Sequence, residues 1–542
     1  MVKNSMSKKS QVQSAFVQAI REAYGQGQED EALEPLVAVD EQGRPLGRVQ
    51  KGDVVIFYDL RGEREIELTQ ALTDEEFHYF PVESLDLSMV TMIEYASRLK
   101  VKVAFPPEGP VNNTLTEVLS RAGKRVLKIS ESEKAIHLGY FMNGKQEVIF
   151  PGEKRKIIPS PQGIANYAKV PQMSAAQVTE AIIESLEEDH DLVIANYANV
   201  DVVGHIEDEQ AVLEAVEVVD KELGRVVKAC QDKHITLVVT ADHGTVEEWY
   251  YPDGTIDTGH TRNPVPFVLA DFSLSSGSEN ELKLRPQGEL IDVAPTILNL
   301  LGVDTPQEMT GQDLLEIGEL ISSSRSKILL LILDGWGLRK EKWGNMIARA
   351  RTPNFESLWA NYPHSLLAAS GEAVGMPPGT VGNSESGHLH LGAGRRILLD
   401  RVRIDKAIQQ GTFFQNEAFL WALDKAQKRG RALHLLGIVS HYSSHGTIDH
   451  LFALLRLARQ HNVSQVYIHC LIGRRGEKPE SGAIYVHKVE EMARSLGIGQ
   501  VVTVIGRFWA LDREENWDRV EKTYRALVYG EGTPVKQDDR RQ

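Results

Sequence analysis

The sequence predicts an α/β protein of two domains, each built on a mainly parallel sheet flanked by helices. At 542 residues, the chain is longer than one hydrophobic core usually serves. Short apolar and β-branched runs alternate along it with segments of helical periodicity, as in parallel sheets joined by crossover helices. The hydrophobic content of 42% and the charged content of 25% are those of an ordinary globular protein.

The charge and cysteine content restrict the class of function. A net charge of −16 without a basic run argues against a nucleic-acid partner. The two cysteines, Cys230 and Cys470, are too few for a disulfide framework and favour a reducing compartment. The first ten residues are polar, unlike a signal peptide, and the apolar run Ile328–Leu333 is too short to span a bilayer. We therefore expect a soluble, cytoplasmic monomer without a membrane partner.

The chain begins with a predicted helix and a predicted buried strand. Gln11–Tyr24 has apolar residues at helical spacing, and Val54–Tyr58 is a compact strand. Arg61 and Arg64 follow this strand, at the place where α/β sheets bind ligands, and their guanidinium groups suit an anion. A solvated helix start is the alternative interpretation. After the strand Val101–Phe105, a proline and glycine cluster predicts a hinge between domains.

The first potential metal ligands follow the predicted strand Leu192–Tyr197. Asp201 and His205 are four residues apart, which places both on one face of a helix and suits one metal ion. A pair at this spacing is also common as a simple surface pair. Upstream, Lys134 lies in a predicted polar loop, where a surface lysine is the simplest interpretation.

Two adjacent potential ligands, Asp242 and His243, follow the buried strand Thr236–Thr240. A carboxylate beside a hydrophobic strand end is costly unless it is paired or binds a cation, so packing alone explains this pair poorly. His260 comes seventeen residues after His243, between small residues. By itself it would be an ordinary loop histidine.

A serine-rich linker at 321–326 precedes the apolar strand Lys327–Leu333, which ends at Asp334. Further on, Ser384 lies in a glycine- and serine-containing stretch, Val381–His388. Glycines on both sides permit a sharp bend that would present the serine hydroxyl in a cleft. Most stretches of this composition are only loops.

Taken together, these side chains favour phosphoryl transfer. Aspartate and histidine without cysteine fit a two-metal site of the Mn²⁺ or Zn²⁺ kind. Two cations activate a nucleophile and clamp a phosphoryl group during in-line displacement, and metal coordination is one way to activate a serine. We therefore predict phosphoryl transfer through a phosphoserine, with these ligands and this nucleophile: Asp201, His205, Asp242, His243, His260, Asp334 and Ser384.

Five motifs resemble signatures of the cofactor-independent (2,3-bisphosphoglycerate-independent) phosphoglycerate mutases, within the alkaline phosphatase superfamily. They are Asn199–His205, Thr240–Gly244, Gly259–Pro264, Asp334–Gly337 and Gly382–Glu385. In the family the Asp-Gly-Trp-Gly strand opens the chain, whereas here it lies beyond residue 330. Because residues 327–531 resemble the family's first half and residues 11–313 its second half, the resemblance implies a circular permutation. Such a change costs little if the old ends lie close together on the surface.

The resemblance implies the domain bounds and the role of each site residue. An alkaline-phosphatase-like metal domain would span 111–398, and a substrate-holding phosphotransferase domain would be divided between 1–110 and 399–542. The metal ligands would be Asp201, His205 and His260 for one ion, and Asp334, Asp242 and His243 for the other. Ser384 would be the phosphoryl acceptor and a further ligand, and Lys134 would assist it. The substrate would be held by His445, Arg475, Arg507, Arg513, Arg61 and Arg64.

The implied cofactors are two divalent cations, with Mn²⁺ expected and Zn²⁺, Co²⁺ or Mg²⁺ as alternatives, and no 2,3-bisphosphoglycerate. Two substrate loops depart from the family pattern. At 440–447, His445 is kept but the acid and both glycines of the family motif are replaced. After Arg475, Gly476 replaces a family acid that contacts the glycerate hydroxyls, which removes a candidate general base.

The leading hypothesis is a phosphoglycerate mutase that interconverts 3- and 2-phosphoglycerate, a small phosphorylated substrate. The altered loops leave two alternatives, a metal-dependent phosphatase and a phosphomutase of another small substrate. A catalytically silent binding protein is a third alternative, and the complete ligand set argues against it.

Overall fold

The computed structural model of the chain describes residues 14–164, 166–273, 282–316, 325–441, 445–473 and 480–537, with the backbone alone at 428 and 429. Contacts divide the chain into two units. Unit 1 comprises Met1–Pro107 and Asp400–Gln542, and unit 2 comprises Glu108–Leu399. Most of the serine-rich linker, 321–324, lies outside the described residues.

The strands are, in chain order, β1 (Leu36–Val39), β2 (Val54–Phe57), β3 (Ser88–Ile93), β4 (Lys102–Phe105), β5 (Val126–Glu131), β6 (Glu153–Ile158), β7 (Leu192–Tyr197), β8 (Thr236–Thr240), β9 (Val265–Asp271), β10 (Gln287–Glu289), β11 (Ile328–Leu333), β12 (His364–Ala368), β13 (Leu433–Ile438), β14 (Val466–Ile472), β15 (Gln500–Gly506) and β16 (Thr533–Lys536).

The α-helices are α1 (Ala15–Gly25), α2 (Ile66–Thr73), α3 (Leu115–Arg121), α4 (Ala175–Ser185), α5 (Asn199–Gly204), α6 (Glu209–Lys233), α7 (Val293–Leu300), α8 (Met346–Arg349), α9 (Pro353–Asn361), α10 (Ser384–Ala393), α11 (Asp400–Gln410), α12 (Glu417–Arg429), α13 (Ile448–Gln460), α14 (Gly482–Leu496), α15 (Arg507–Ala510) and α16 (Trp517–Val528). Within the described ranges, no helix combines the length and the apolar content that a bilayer crossing requires.

Unit 2 is built on a sheet with the strand order β10-β12-β9-β8-β11-β7-β5-β6. The neighbours β8, β11, β7, β5 and β6 are parallel, whereas β9 is antiparallel to both β8 and β12. The central strand β11 is an uninterrupted apolar run, and each of its residues is buried. A strand covered on both faces has this composition because neither face meets water.

Unit 1 is built on a sheet with the strand order β16-β1-β15-β14-β13-β2-β3-β4. The neighbours β15, β14, β13, β2, β3 and β4 are parallel, and β1 is antiparallel to β15. The sheet therefore combines strands from both ends of the chain, and the two units have separate hydrophobic cores. The predicted class, two mainly parallel sheets flanked by helices, is confirmed.

Candidate active site

The potential ligands of unit 2 meet at the carboxyl ends of three adjacent strands. Asp334 follows β11 directly, Asp242 and His243 follow β8, and α5 after β7 carries Asp201. Because these strands are parallel neighbours, their ends deliver side chains to one place at the edge of the sheet.

Three imidazoles converge on one carboxylate oxygen, Oδ1 of Asp201. Nε2 of His205 lies 3.3 Å from it, Nε2 of His260 3.2 Å and Nε2 of His243 3.6 Å. No well-formed hydrogen bond from the described residues reaches this buried oxygen. Imidazole nitrogens grouped around one carboxylate oxygen are the kind of ligand set that binds a divalent metal ion.

Main-chain carbonyls orient two of these rings. Nδ1 of His205 lies 2.7 Å from the carbonyl oxygen of Thr258, and Nδ1 of His260 lies 2.8 Å from that of Gly382. A carbonyl oxygen accepts a hydrogen bond from a protonated Nδ1, which leaves the lone pair on Nε2, the nitrogen that faces Asp201. Ligating histidines are commonly held by this kind of outer contact.

Two further carboxylates, those of Asp242 and Asp334, are fully buried beside His243. Nε2 of His243 lies 3.4 Å from Asp242 Oδ2 and 3.7 Å from Asp334 Oδ1. Burial acts to raise the pKa of Asp242, but His243, His388 and Lys134 outweigh it and lower that pKa. Burial and the charge of Asp242 raise the pKa of Asp334. The site therefore concentrates negative charge that a cation would stabilise.

Ser384 is the first residue of α10 and is 7% exposed. Its Oγ lies 2.7 Å from Lys134 Nζ, 2.9 Å from His243 Nε2 and 3.3 Å from Asp334 Oδ1. The structure thus places the serine hydroxyl within the ligand cluster. A serine in contact with a cation and an imidazole is in the setting of an activated nucleophile.

The glycines beside Ser384 serve close packing, and neither adopts a left-handed conformation. Gly382 and Gly387 both have φ outside the left-handed region. A Cβ at Gly387 would lie 2.5 Å from the carbonyl oxygen of Asp242, and one at Gly382 would lie 2.4 Å from that of Ala369. Small residues here let α10 lie directly against the end of β8.

Lys134 is buried rather than on the surface, so the surface interpretation was wrong. It ends a 3₁₀ turn after β5 and is 3% exposed. Its Nζ donates to Asp201 Oδ2 at 2.6 Å, to Asp334 Oδ1 at 2.6 Å and to Ser384 Oγ at 2.7 Å. Burial acts to lower the pKa of Lys134, but the nearby aspartates outweigh it and raise that pKa. The group is therefore an ammonium ion.

The sequence prediction missed His388 and Asn196. Nδ1 of His388 lies 3.2 Å from Asp242 Oδ2, and Asn196 Nδ2 donates to Asp334 Oδ2 at 2.8 Å. His388 follows Ser384 by four residues in α10, the same spacing as Asp201 and His205. This spacing was the signal that would have found it.

Three overlapping groups in unit 2 have ligand atoms within 4.8 Å of one another: Asp201, His205 and His260; Asp201, His243 and Asp334; and Asp242, Asp334 and His388. Carboxylate oxygens with imidazole nitrogens suit Mn²⁺ and Zn²⁺. Oδ1 of Asp201 and Oδ2 of Asp242 are buried acceptors without a well-formed hydrogen bond from any described residue, and a cation would satisfy both. The residues present therefore fit divalent metal ions.

In unit 1, several predicted substrate residues share one cavity at the carboxyl ends of parallel strands of the same sheet. A cavity of about 180 Å³ is lined by Arg64, His445 and Arg507, together with Glu31 and Arg519 among others. Arg64 follows β2, His445 follows β13 and Arg507 follows β15, in a sheet where these strands are parallel. The parallel order explains how distant segments supply one pocket.

Arg61 and Arg513 are joined through one carboxylate. Arg61 Nε and Arg513 Nη1 each lie 2.8 Å from Glu63 Oε1. Burial, with repulsion from Arg513, Arg61 and Arg507, lowers the pKa of Arg64, so the four guanidinium groups form one positive cluster. Such a cluster attracts an anion.

The pocket also contains an acidic and a basic residue that the sequence analysis did not single out. Glu31 Oε1 lies 2.7 Å from Arg507 Nη2, and neither Glu31 nor the lining residue Arg519 was predicted. The predicted substrate residue Arg475 lies outside the described residues, as does Gly476.

The α/β fold and its aspartate and histidine groups define a metal-binding protein of the α/β class. The sequence profile of the Metalloenzyme superfamily matches residues 19–305, and the chain belongs to this superfamily. The profile described as the BPG-independent PGAM N-terminus (iPGM_N) matches residues 404–542.

Named relatives agree with these profiles. Proteins called 2,3-bisphosphoglycerate-independent phosphoglycerate mutase are similar to the chain: 43% identity over 303 residues in Moorella thermoacetica (56% of this chain, 57% of the relative), 42% over 311 in Clostridium botulinum (57% and 59%) and 44% over 305 in Thermomicrobium roseum (55% and 57%). The chain thus spans little more than half the length of the curated relatives it matches. The resemblance to the cofactor-independent phosphoglycerate mutases is confirmed.

A solved structure is also similar in sequence. A phosphoglycerate mutase of Leishmania mexicana, crystallised at low cobalt concentration, is 29% identical, covers 51% of this chain and 53% of its own, and has a TM-score of 0.36.

Proposed function

We propose that the chain is a metal-dependent phosphoglycerate mutase that interconverts 3- and 2-phosphoglycerate through a phosphoserine at Ser384. The observation that carries this proposal is the position of the Ser384 hydroxyl, within hydrogen-bonding distance of Lys134 Nζ and His243 Nε2. A buried serine rarely meets a cation, an imidazole and an aspartate at once unless its oxygen reacts. The proposed substrate is taken from the names of the relatives, which are called phosphoglycerate mutases.

Two divalent cations, with Mn²⁺ proposed, would lower the pKa of the Ser384 hydroxyl and neutralise the phosphoryl oxygens when bound. The proposed ligands are Asp201, His205 and His260 for one ion, and Asp334, Asp242 and His243 with Ser384 for the other. Lys134 holds the Ser384 oxygen and keeps a positive charge beside it. This charge favours the deprotonated serine.

The first transfer forms a bond between Ser384 Oγ and phosphorus and breaks the bond between phosphorus and the substrate oxygen. Overall, the proton that Ser384 Oγ loses is balanced by the proton that the substrate oxygen gains. The second transfer reverses this sequence at the neighbouring hydroxyl of glycerate. Between the two, the arginine cluster and His445 hold the glycerate carboxylate and hydroxyls. Arg64 and Arg507 line the cavity with His445, and Arg61 and Arg513 belong to the same cluster. Arg475 is proposed for the same role on the family resemblance alone.

We further propose that the chain is circularly permuted relative to its relatives and acts as a cytoplasmic monomer. The profile named for the N-terminal part of the family matches 404–542, after the superfamily match at 19–305. In unit 1, strands from both ends of the chain form one sheet, which supports a division of the predicted substrate domain.

The test is an enolase-coupled assay with 3-phosphoglycerate and Mn²⁺. We expect turnover by the full chain and, for Ser384→Ala, a loss on the order of 10³-fold or more. Ser386→Ala is the matched control, because Ser386 lies in the same helix as Ser384 while its Oγ donates outside the ligand cluster, to the carbonyl oxygen of Val374. Absence of turnover in the unsubstituted chain would contradict the mutase.

A metal-dependent phosphatase is the second candidate, because Gly476 replaces an acid of the family's substrate loop. Without this general base, the second transfer would be slower, and water would hydrolyse the phosphoserine instead. Phosphate release from 3-phosphoglycerate that outpaces isomerisation, and that Ser384→Ala abolishes, would favour this candidate. Isomerisation of another phosphorylated compound would favour a different phosphomutase.

A further inference from the structure

Unit 1 contains its own group of ligand-type side chains. Asp59, Glu65 and His445 are all 0% exposed, and one ligand atom of each lies within 4.8 Å of the other two. Nδ1 of His445 is 2.8 Å from Glu65 Oε1. Two carboxylates and an imidazole therefore meet in a part of the unit closed to bulk water.

The carboxylates of this group lack the hydrogen bonds that burial normally requires. Oδ2 of Asp59 and Oε2 of Glu65 are both buried and have no hydrogen-bond partner among the described residues. Oδ1 of Asp59 accepts one bond, from the main-chain N–H of Ile438 at 2.7 Å. An acceptor left unsatisfied in a protein interior costs free energy comparable with a lost hydrogen bond or more.

Donors that lie close by are engaged elsewhere. The hydroxyl of Tyr95 donates to the carbonyl oxygens of Phe57 and Asp59, and that of Tyr58 donates to the carbonyl oxygen of Ile438. No lysine or arginine of the described chain forms an ion pair with either carboxylate. Among the described residues, the two buried acids are therefore not paired with a lysine or an arginine.

The backbone is shaped to bring these acids together. Asp59 follows β2, Glu65 precedes α2, and His445 follows β13, the strand that pairs with β2. A Cβ at Gly437 of β13 would lie 2.6 Å from Asp59 Oδ1, so a larger residue would displace the carboxylate. Burial and the charge of Glu65 raise the pKa of Asp59.

We propose that Asp59, Glu65 and His445 hold a third divalent cation of the Mn²⁺ or Zn²⁺ class within unit 1. Two oxygen donors and one imidazole nitrogen suit these ions, and a cation would satisfy the two bare oxygens at once. Because His445 also lines the arginine cavity, the cation would fix this ring at the wall of the anion pocket. The site goes beyond the proposed function and does not depend on it.

The test counts metal ions in the full chain after chelator treatment, reloading with Mn²⁺ and removal of the excess. We expect Asp59→Asn/Glu65→Gln to lose one equivalent of Mn²⁺ per chain. Glu67→Gln is the matched control, since Glu67 is a buried acid of α2 that belongs to no ligand group among the described residues. It should lose none. Equal metal content in the double variant and the unsubstituted chain would overturn the site.

A second variant keeps the test decisive if the first does not fold. Asp201→Asn/Asp334→Asn removes ligands of unit 2 and should still retain one equivalent of Mn²⁺ in unit 1. Retention of none would overturn the third site.

Discussion

At the scale of single residues, the Lys134 ammonium is the main positive charge among the aspartates of unit 2. Its Nζ contacts Asp201 and Asp334 at 2.6 Å each, and Asp242 acts on it through space. One ammonium against three aspartates leaves net negative charge, which divalent ions would balance. Lys134 therefore stabilises the buried aspartates of the metal-free protein and also holds the Ser384 oxygen.

Lys134→Met should destabilise the metal-free protein by ~3–5 kcal/mol, because it leaves buried aspartates without their partner. Urea unfolding in the presence of a chelator measures this change. Lys156→Met is the control, since Lys156 pairs with Glu184 at the surface, where the two side chains are 42% and 66% exposed. Its effect should stay within about 1 kcal/mol. Equal effects of the two substitutions would show that the Lys134 contacts contribute no more than a surface pair.

The single residues differ in how far the sequence predicts them. Asp242 and Asp334 could be predicted because each lies just beyond the end of a buried strand, where an acid needs a partner. The residue pattern around Lys134 could not place it, because its partners lie 67, 200 and 250 residues away along the chain, and only the family resemblance indicated its role. Only the folded sheet brings them together.

At the scale of elements, the packing of α10 against the end of β8 positions Ser384. Gly387→Ala would improve the intrinsic helix propensity but place a methyl group 2.5 Å from the Asp242 carbonyl. We expect overpacking to cost about 1–3 kcal/mol, more than the ~0.5–1 kcal/mol that alanine gains in a helix. Activity should fall with it because Ser384 shifts.

Gly25→Ala is the control for that experiment. Gly25 ends α1, and a Cβ there would have no neighbour within 4 Å. Its stability in urea should be unchanged or slightly raised. A Gly387→Ala protein of equal or greater stability would contradict the close packing of α10.

The β5–β6 edge of unit 2 carries a pH-dependent contribution to stability. Lys128 on β5 is fully buried beside Glu153 on β6, at 3.4 Å, and burial lowers its pKa to about 8 from 10.5. Between these values the unfolded chain binds this proton and the folded chain does not. The contribution of Lys128 to the free energy of unfolding should therefore rise with pH from about 8 to 10.5, by an amount on the order of 3 kcal/mol.

Comparison of the unsubstituted chain with Lys128→Met in urea at several pH values isolates this contribution. The difference in unfolding free energy should shift in favour of the unsubstituted chain as pH rises through the window. Lys154→Met, at an exposed position of β6, should show a constant difference. A constant difference for Lys128→Met as well would mean that Lys128 titrates normally.

Element bounds were predictable where composition alone determines them. The strands Leu192–Tyr197 and Thr236–Thr240 have the predicted bounds because each is a fully buried apolar or β-branched run. The antiparallel direction of β9 was not predictable, since a buried strand has the same composition in either direction. The direction of a strand depends on the segments that connect it to the rest of the chain and on the strands beside it.

At the scale of the whole molecule, the same fold could be formed with its segments in a different order along the chain. Unit 1 takes β1–β4 from one end of the chain and β13–β16 from the other, and α1 packs on β16 near the last described residues. A stretch that joined 537 to 14 would therefore connect segments of one unit. Loop closure of a few added residues costs little free energy.

A rearranged chain, with residues 325–537 placed before 14–316 and joined by a short glycine–serine stretch, tests the proposed permutation. If the present order is a permutation of a common fold, the rearranged chain should keep the far-UV circular dichroism, the Mn²⁺ content and turnover within a few-fold. The physical reason is that each strand retains its neighbours and each ligand its strand end. A rearranged chain cut instead within β7, between Ile194 and Ala195, is the control and should not fold, because it divides a fully buried strand of the central sheet. Failure of the first chain to fold, with soluble protein of the original order as reference, would show that the present order is itself required for the structure.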